Sequence, residues 1–184
     1  MEEKEWAYLW ADGIYVKAGL GKEKAALLVV IGVQRDGSKR FLALEPGYRE
    51  SKESWAEVLR QLKTRGVNRV GLFVGDGNLG LWAAVGEVHP QAEQQLCWNH
   101  KMLNVMDAVS KKEQTEVKKH LNAMMYADSR EQALKERKKF EHGFGHNPNA
   151  VKPPCQFFSS KFRSCGSRNC RLRLQFVLLS PRAC

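Results

Sequence analysis

Two Asp-Gly pairs in this chain each follow an apolar run: Asp12-Gly13 after residues 6–11, and Asp76-Gly77 after residues 70–74. Read singly, each pair is a tight turn, because Asp and Gly both suit turn conformations. Read together, they point to chemistry. If the two runs are parallel neighbouring strands, their C-terminal ends bring both carboxylates to one edge of a sheet, where open α/β sheets bind ligands. Paired hard oxygen donors suit Mg²⁺. Ions held there can assist phosphoryl transfer by stabilising charge on the attacking and leaving oxygens.

Two further motifs overlap or follow this one. Gly75-Asp76-Gly77-Asn78-Leu79-Gly80 matches the G-x-G-x-x-G pattern of dinucleotide-binding turns. Asp76 would set a negative charge where a pyrophosphate belongs, which weighs against that reading. Cys97-Trp98-Asn99-His100 is a Cys-x-x-His pair. It is either a buried cysteine beside a helix-start histidine or half of a zinc site, completed by Cys165 and Cys170 or by His142 and His146.

The elements needed to position these residues can be read from periodicity. Residues 6–11, 14–20, 24–33 and 40–44 are β-favouring, punctuated by Gly13, Gly21 and Asp36-Gly37 as turns, and form a meander of about three strands. Ser51 is a helix N-cap, followed by Trp55, Val58, Leu59 and Leu62 at helical spacing, with Gly66 as the stop. A short strand over residues 69–74, a helix over 78–88 and a strand over 92–97 come next. Residues 99–140 read as continuous helix. A meander feeding strand–helix–strand units gives an α/β mixed sheet covered by helices, with a C-terminal helical region. The expected divisions are a core over residues 1–109, the start of a helical region over 110–147, and a basic, Cys-rich tail over 148–184.

Composition narrows the function classes. The chain has 184 residues, enough for one domain with a substantial core. No apolar run approaches the roughly 20 residues needed to cross a bilayer, so no membrane role is expected. The polar, acidic start is unlike a signal peptide, which makes the cytoplasm the expected compartment. The net charge of +10 is uneven: residues 1–150 carry +3, and residues 151–184 carry seven basic residues and no acidic one. That balance favours a polyanion partner. The acid-free stretch reads as a flexible basic tail or as a break in the reading frame near residue 150. The Lys- and Arg-rich residues 111–139, interspersed with Glu, read as a solvated helix face or as a DNA-binding face.

Several of these motifs, in this order, resemble the catalytic region of mutator-type bacterial insertion-sequence transposases. They are Trp10-Ala11-Asp12-Gly13-Ile14-Tyr15-Val16-Lys17; Ile31-Gly32-Val33 with Asp36-Gly37; Glu53-Ser54-Trp55 leading to Val58, Leu59, Leu62 and Gly66; Val74-Gly75-Asp76-Gly77 with Gly80; His89-Pro90; Cys97-x-x-His100; and Leu103-Asn104. The resemblance covers roughly residues 6–150. It implies an RNase H-like fold and Mg²⁺- or Mn²⁺-dependent cleavage and joining of DNA, with transposon ends and target as partners and a homo-oligomeric assembly. It implies Asp12 and Asp76 as catalytic, metal-holding carboxylates and Cys97 and His100 as a supporting pair. The family's third acid is a glutamate beyond a helical insertion, and no residue here matches its context. Glu87, Asp107 and Glu141 are the nearby acids, each expected to be a solvated helix charge. The chain by itself is therefore expected to be an inactive fragment of a transposase, the alternative being a non-catalytic DNA-binding or interaction remnant.

Overall fold

A computed structural model describes residues 6–17, 24–47 and 50–151. The basic tail from residue 152 and Gly21 lie outside the described residues, and so do the expectations attached to them.

The meander forms as three antiparallel strands: β1 (Trp6–Lys17), β2 (Lys24–Gln34) and β3 (Lys39–Gly47). Gly37, at φ 86°, supplies the left-handed residue of the β2–β3 turn. Gly13 is not a turn. It sits inside β1 opposite Leu28, and β1 continues to Lys17. Pairing with β2 along its whole length holds the strand extended through Asp12-Gly13 and outweighs the local turn preference of that pair.

Helix α1 (Lys52–Thr64) begins where Ser51 Oγ accepts from the Ser54 N–H at 3.2 Å. It buries Trp55, Ala56, Val58, Leu59 and Leu62, one stripe of a 3.6-residue period. Its end is a Schellman motif: Gly66, at φ 95°, donates to the Lys63 carbonyl, and Val67 N–H donates to the Leu62 carbonyl. Then come β4 (Leu72–Gly75), α2 (Leu79–Val88) and β5 (Glu93–Leu96).

The five strands make one sheet in the order β3-β2-β1-β4-β5. β1 pairs antiparallel with β2 and parallel with β4, and β4 pairs parallel with β5. A three-strand meander whose first strand is flanked by the fourth, with the fifth outside it, is the RNase H-like arrangement. Leu9, Ala11, Leu28, Val30 and Phe73 of the sheet pack with Trp55, Leu59 and Leu62 of α1 and with Leu81 and Val85 of α2. Each large side chain buried there stabilises the fold by roughly 1.5–3 kcal/mol.

The described chain divides into two compact units, one ending at Leu96 and one beginning at Cys97. In the second, the expected continuous helix is three: α3 (Trp98–Asp107), α4 (Gln114–Met125) and α5 (Arg130–Phe144). The breaks are capped locally. Glu113 Oε2 accepts from Ser110 N–H, Ser129 Oγ accepts from Gln132 N–H, and Gln132 Oε1 accepts from Asp128 N–H. Val105, Val117, Leu121, Met124, Phe140 and Phe144 form this unit's own core. The expected 109/110 division falls just after α3, within this unit.

Candidate active site at the end of strand β4

Parallel pairing of β1 with β4 runs through Leu9–Phe73 and Trp10–Val74 to Ala11–Gly75. The next residue on each chain is an aspartate, Asp12 on β1 and Asp76 beyond the end of β4. Neighbouring strands lie about 4.8 Å apart, so this register brings the two acids side by side at one sheet edge.

Asp76 is held by its own turn. Its Oδ1 accepts from Asn78 N–H at 2.8 Å, and its carbonyl accepts from Trp82 Nε1 at 2.9 Å. Asn78 is the N-cap of α2: its Oδ1 accepts from Gly80 N–H at 2.8 Å and from Leu81 N–H at 3.2 Å. The 75–80 segment is therefore a turn held by the side chains of Asp76 and Asn78. A Cβ on Gly80 would lie 2.6 Å from the Glu50 carbonyl oxygen and 2.9 Å from Lys52 N, so only glycine lets the start of α2 come this close to the segment entering α1. At Gly77 a Cβ would meet nothing within 4 Å, which leaves open space beside Asp76.

A third carboxylate, Glu50, belongs to this edge and was not anticipated from sequence. Its Oε2 accepts from Asn78 Nδ2 at 2.8 Å, and the Tyr15 hydroxyl donates to the same carboxylate. The carboxyl lies over Gly13, where a Cβ would run into it. Burial pushes the Glu50 carboxyl above the usual carboxylate range; the Asp76 and Asp12 charges add to the rise, and the hydrogen bonds from Tyr15 and Asn78 oppose it. The only sequence signal was an acid immediately before the Ser51 cap, and a position just before a helix says nothing about which strand it will cover.

The acids considered from sequence are placed elsewhere. Glu87 is ion-paired with Lys52 at 2.8 Å and with Arg60. Glu141 pairs with Arg137 at 2.7 Å within α5, and Asp107 is exposed at the end of α3. Cys97 is the buried N-cap residue of α3, and His100 lies half-buried three positions on, in the same first turn. Along residues 111–139, Lys139 pairs with Glu136 at 2.7 Å. His89, between α2 and β5, is buried with its ring centroid 5.3 Å from that of Phe73. Burial, helped by the Lys63 charge, holds its imidazole below the ordinary value.

Asp12 and Asp76 are hard oxygen donors, the type that suits a divalent cation. Among the described residues, however, no three His, Cys, Asp or Glu side chains are arranged together to ligate an ion. The donor set offered by these two motifs is thus a pair, with Glu50 committed to hydrogen bonds. No helix among the described residues is long and apolar enough to cross a membrane.

Comparison with known proteins adds sequence relatives. The family model described as transposase, Mutator family, matches residues 1–154. The transposase for insertion sequence element IS6120 of Mycolicibacterium smegmatis is 43% identical over 148 residues, covering 80% of this chain and 46% of that protein. The transposase for insertion sequence element IST2 of Acidithiobacillus ferrooxidans is 41% identical over 113 residues, covering 61% of this chain and 38% of that protein. The chain spans less than half the length of these curated relatives. Among solved structures, the HTLV-2 integrase catalytic core domain in complex with magnesium (trimeric form) aligns with a TM-score of 0.39 at 10% identity, over 84% of this chain and 97% of that one. The Drosophila P element transposase strand transfer complex aligns with a TM-score of 0.37 at 13% identity, over 82% and 48%.

Proposed function

Because the chain belongs to the Mutator family of transposases, we propose that it acts in DNA transposition, as the part of a catalytic core that carries the first two acids of a metal-dependent phosphoryl-transfer site. The observation that supports this is the Ala11–Gly75 register, one residue before Asp12 and Asp76. In this reading Asp12 and Asp76 hold Mg²⁺ or Mn²⁺, which supplies charge stabilisation for the oxygens exchanged when DNA ends are cleaved and joined. The chain's own part is positional. β1 fixes Asp12, and the 76–80 turn fixes Asp76. Two carboxylates repel a phosphate until a cation neutralises them, so the site is selective for the metal-loaded state.

Cys97 and His100 are assigned a supporting role at the start of α3. DNA, as transposon ends and target, is the proposed partner, held through phosphate contacts by Lys and Arg, and a homo-oligomer is the proposed assembly. The 184-residue chain alone is proposed to be inactive in cleavage, because neither Asp-Gly motif brings a third acid in the context the family uses.

The test is Mn²⁺ binding to the purified chain, followed by the spectrum of the free ion, for the parent, Asp12→Ala and Asp76→Ala. Binding that is lost in both variants supports the reading. Binding that survives both overturns it. A DNA-binding remnant without catalytic ancestry of this edge would instead bind DNA with salt dependence alone and show no response to the two substitutions.

A further inference from the structure

We propose that Glu50 is a positioning residue for the Asp12–Asp76 edge: it orients the Asn78 side chain, and Asn78 orients the turn that aims the Asp76 carboxylate. This inference rests on the reading of Asp12 and Asp76 as the metal-holding pair, and it adds a residue that neither Asp-Gly motif contains.

The argument starts from what Asn78 must do. Its backbone N–H donates to Asp76 Oδ1 at 2.8 Å, and its side-chain oxygen accepts from Gly80 N–H and Leu81 N–H at 2.8 and 3.2 Å. A side-chain amide has two nearly isosteric ends, and only the oxygen end can receive those helix N–H groups. With the amide reversed, its NH₂ would face two further donors. Ionised Glu50 is acceptor-only, and it takes Asn78 Nδ2 at 2.8 Å. The carboxylate therefore selects the amide orientation that caps α2.

Two glycines make the arrangement possible. Gly13 has no Cβ, which leaves the place on β1 that the Glu50 carboxyl occupies, and Gly80 has none, which lets the start of α2 approach the backbone of Glu50, Ser51 and Lys52. Tyr15, two residues beyond Gly13 on β1, donates its hydroxyl to the same carboxylate. Glu50 thus ties β1, which carries Asp12, to the turn that carries Asp76.

The experiment uses the full 184-residue chain in two measurements. In the metal-free chain, amide hydrogen exchange is read at Asn78, Gly80 and Leu81, with Val30 in β2 as an internal reference. Glu50→Ala is expected to speed exchange at Gly80 and Leu81 by about tenfold, the equivalent of one lost charge-assisted hydrogen bond, with Val30 unchanged. Glu50→Gln, whose amide oxygen can still accept from Asn78 Nδ2, is expected to stay near the parent. Asn78→Ala should match Glu50→Ala, and the double variant should be no worse than Asn78→Ala alone.

In the second measurement Mn²⁺ affinity falls several-fold in Glu50→Ala and Asn78→Ala and is rescued in Glu50→Gln, about one lost hydrogen bond in size. Parental exchange rates in Glu50→Ala would overturn the inference whatever the Mn²⁺ result. Glu50→Gln losing Mn²⁺ as fully as Glu50→Ala would also overturn it, since charge and not orientation would then be the contribution. Parental Mn²⁺ binding in Asp76→Ala would instead overturn the metal-site reading and leave the exchange result to decide the role of Glu50. If Glu50→Ala does not fold, Gly13→Ala displaces the same carboxyl and replaces it in both measurements.

Discussion

The Asn78 side-chain amide donates a 2.8 Å hydrogen bond to the Glu50 carboxylate, across 28 positions of sequence. That bond joins the segment entering α1 to the cap of α2, and through Asn78 N–H it reaches Asp76. A third carboxylate is thus tied by hydrogen bonds to the turn that carries Asp76, outside the two Asp-Gly motifs.

The first prediction concerns charge at Glu50. Its carboxyl is raised in the folded protein by burial and by Asp76 and Asp12. A raised folded value means that the folded chain holds the proton more tightly than the unfolded chain. The resulting stability is full below the unfolded carboxylate value and is lost as pH rises through the folded one. Glu50→Gln should accordingly raise Tm relative to the parent at pH 7.5 and not at pH 4, as thermal melts at the two pH values would show. A fall in Tm at pH 7.5 would contradict it.

The two glycines near Glu50 should fail in different ways. Gly13→Ala meets only the mobile end of a glutamate, so the side chain can swing away, and a cost within about 1 kcal/mol is expected. Gly80→Ala meets backbone at 2.6–2.9 Å and should cost about 1–3 kcal/mol. Urea unfolding of both variants checks the order, which the opposite ranking would refute.

His89 gives a second pH effect with the opposite sign. Burial and the Lys63 charge lower its folded value. Below the unfolded histidine value of about 6.5 the unfolded chain takes up a proton that the folded chain resists, so stability falls as pH drops from 7 towards 5. His89→Phe should flatten that part of the pH–stability curve. An unchanged slope would remove His89 from the account.

Core packing offers a control that removes no acid. Leu59 is fully buried between the sheet and its own helix. Leu59→Ala should cost about 2–5 kcal/mol in denaturant unfolding, while Mn²⁺ affinity of the folded fraction remains parental.

DNA binding should be weak, without sequence preference and strongly salt-dependent. Residues 1–150 carry only +3, so most of the excess positive charge lies in the last 34 residues. Raising salt from about 50 to about 200 mM should reduce affinity by orders of magnitude if six or more phosphates are contacted. Supercoiled plasmid should remain uncut with Mg²⁺ or Mn²⁺, and nicking that disappears in both Asp12→Ala and Asp76→Ala would overturn the inactive reading.

The order of elements was legible because the periodicity changes sharply at Ser51, from strands to a helix with Trp55, Leu59 and Leu62 on one face. The parallel pairing that ends at Ala11 and Gly75, one residue before Asp12 and Asp76, was legible too, since each acid follows an apolar run of strand type. Three features were hidden for physical reasons. Asp12-Gly13 favours a turn locally, and only pairing with β2 keeps it extended. The division of residues 99–140 into three helices depends on caps at Ser110 and Ser129 that are weak signals in a long polar helical pattern. Glu50 acts through Gly13 and Asn78, which are distant in sequence, so no spacing rule reaches it.

β1 runs unbroken through Asp12 with β2 paired on both sides of it, whereas Asp76 is the first residue past the end of β4. Mg²⁺ sits at about 2.0–2.1 Å from its oxygens and Ca²⁺ at about 2.3–2.6 Å. On the proposed reading of Asp12 and Asp76 as a metal-holding pair, Asp12 is set by strand pairing and Asp76 by the hydrogen bonds of its turn, so the turn rather than the sheet decides which of these distances the pair accommodates.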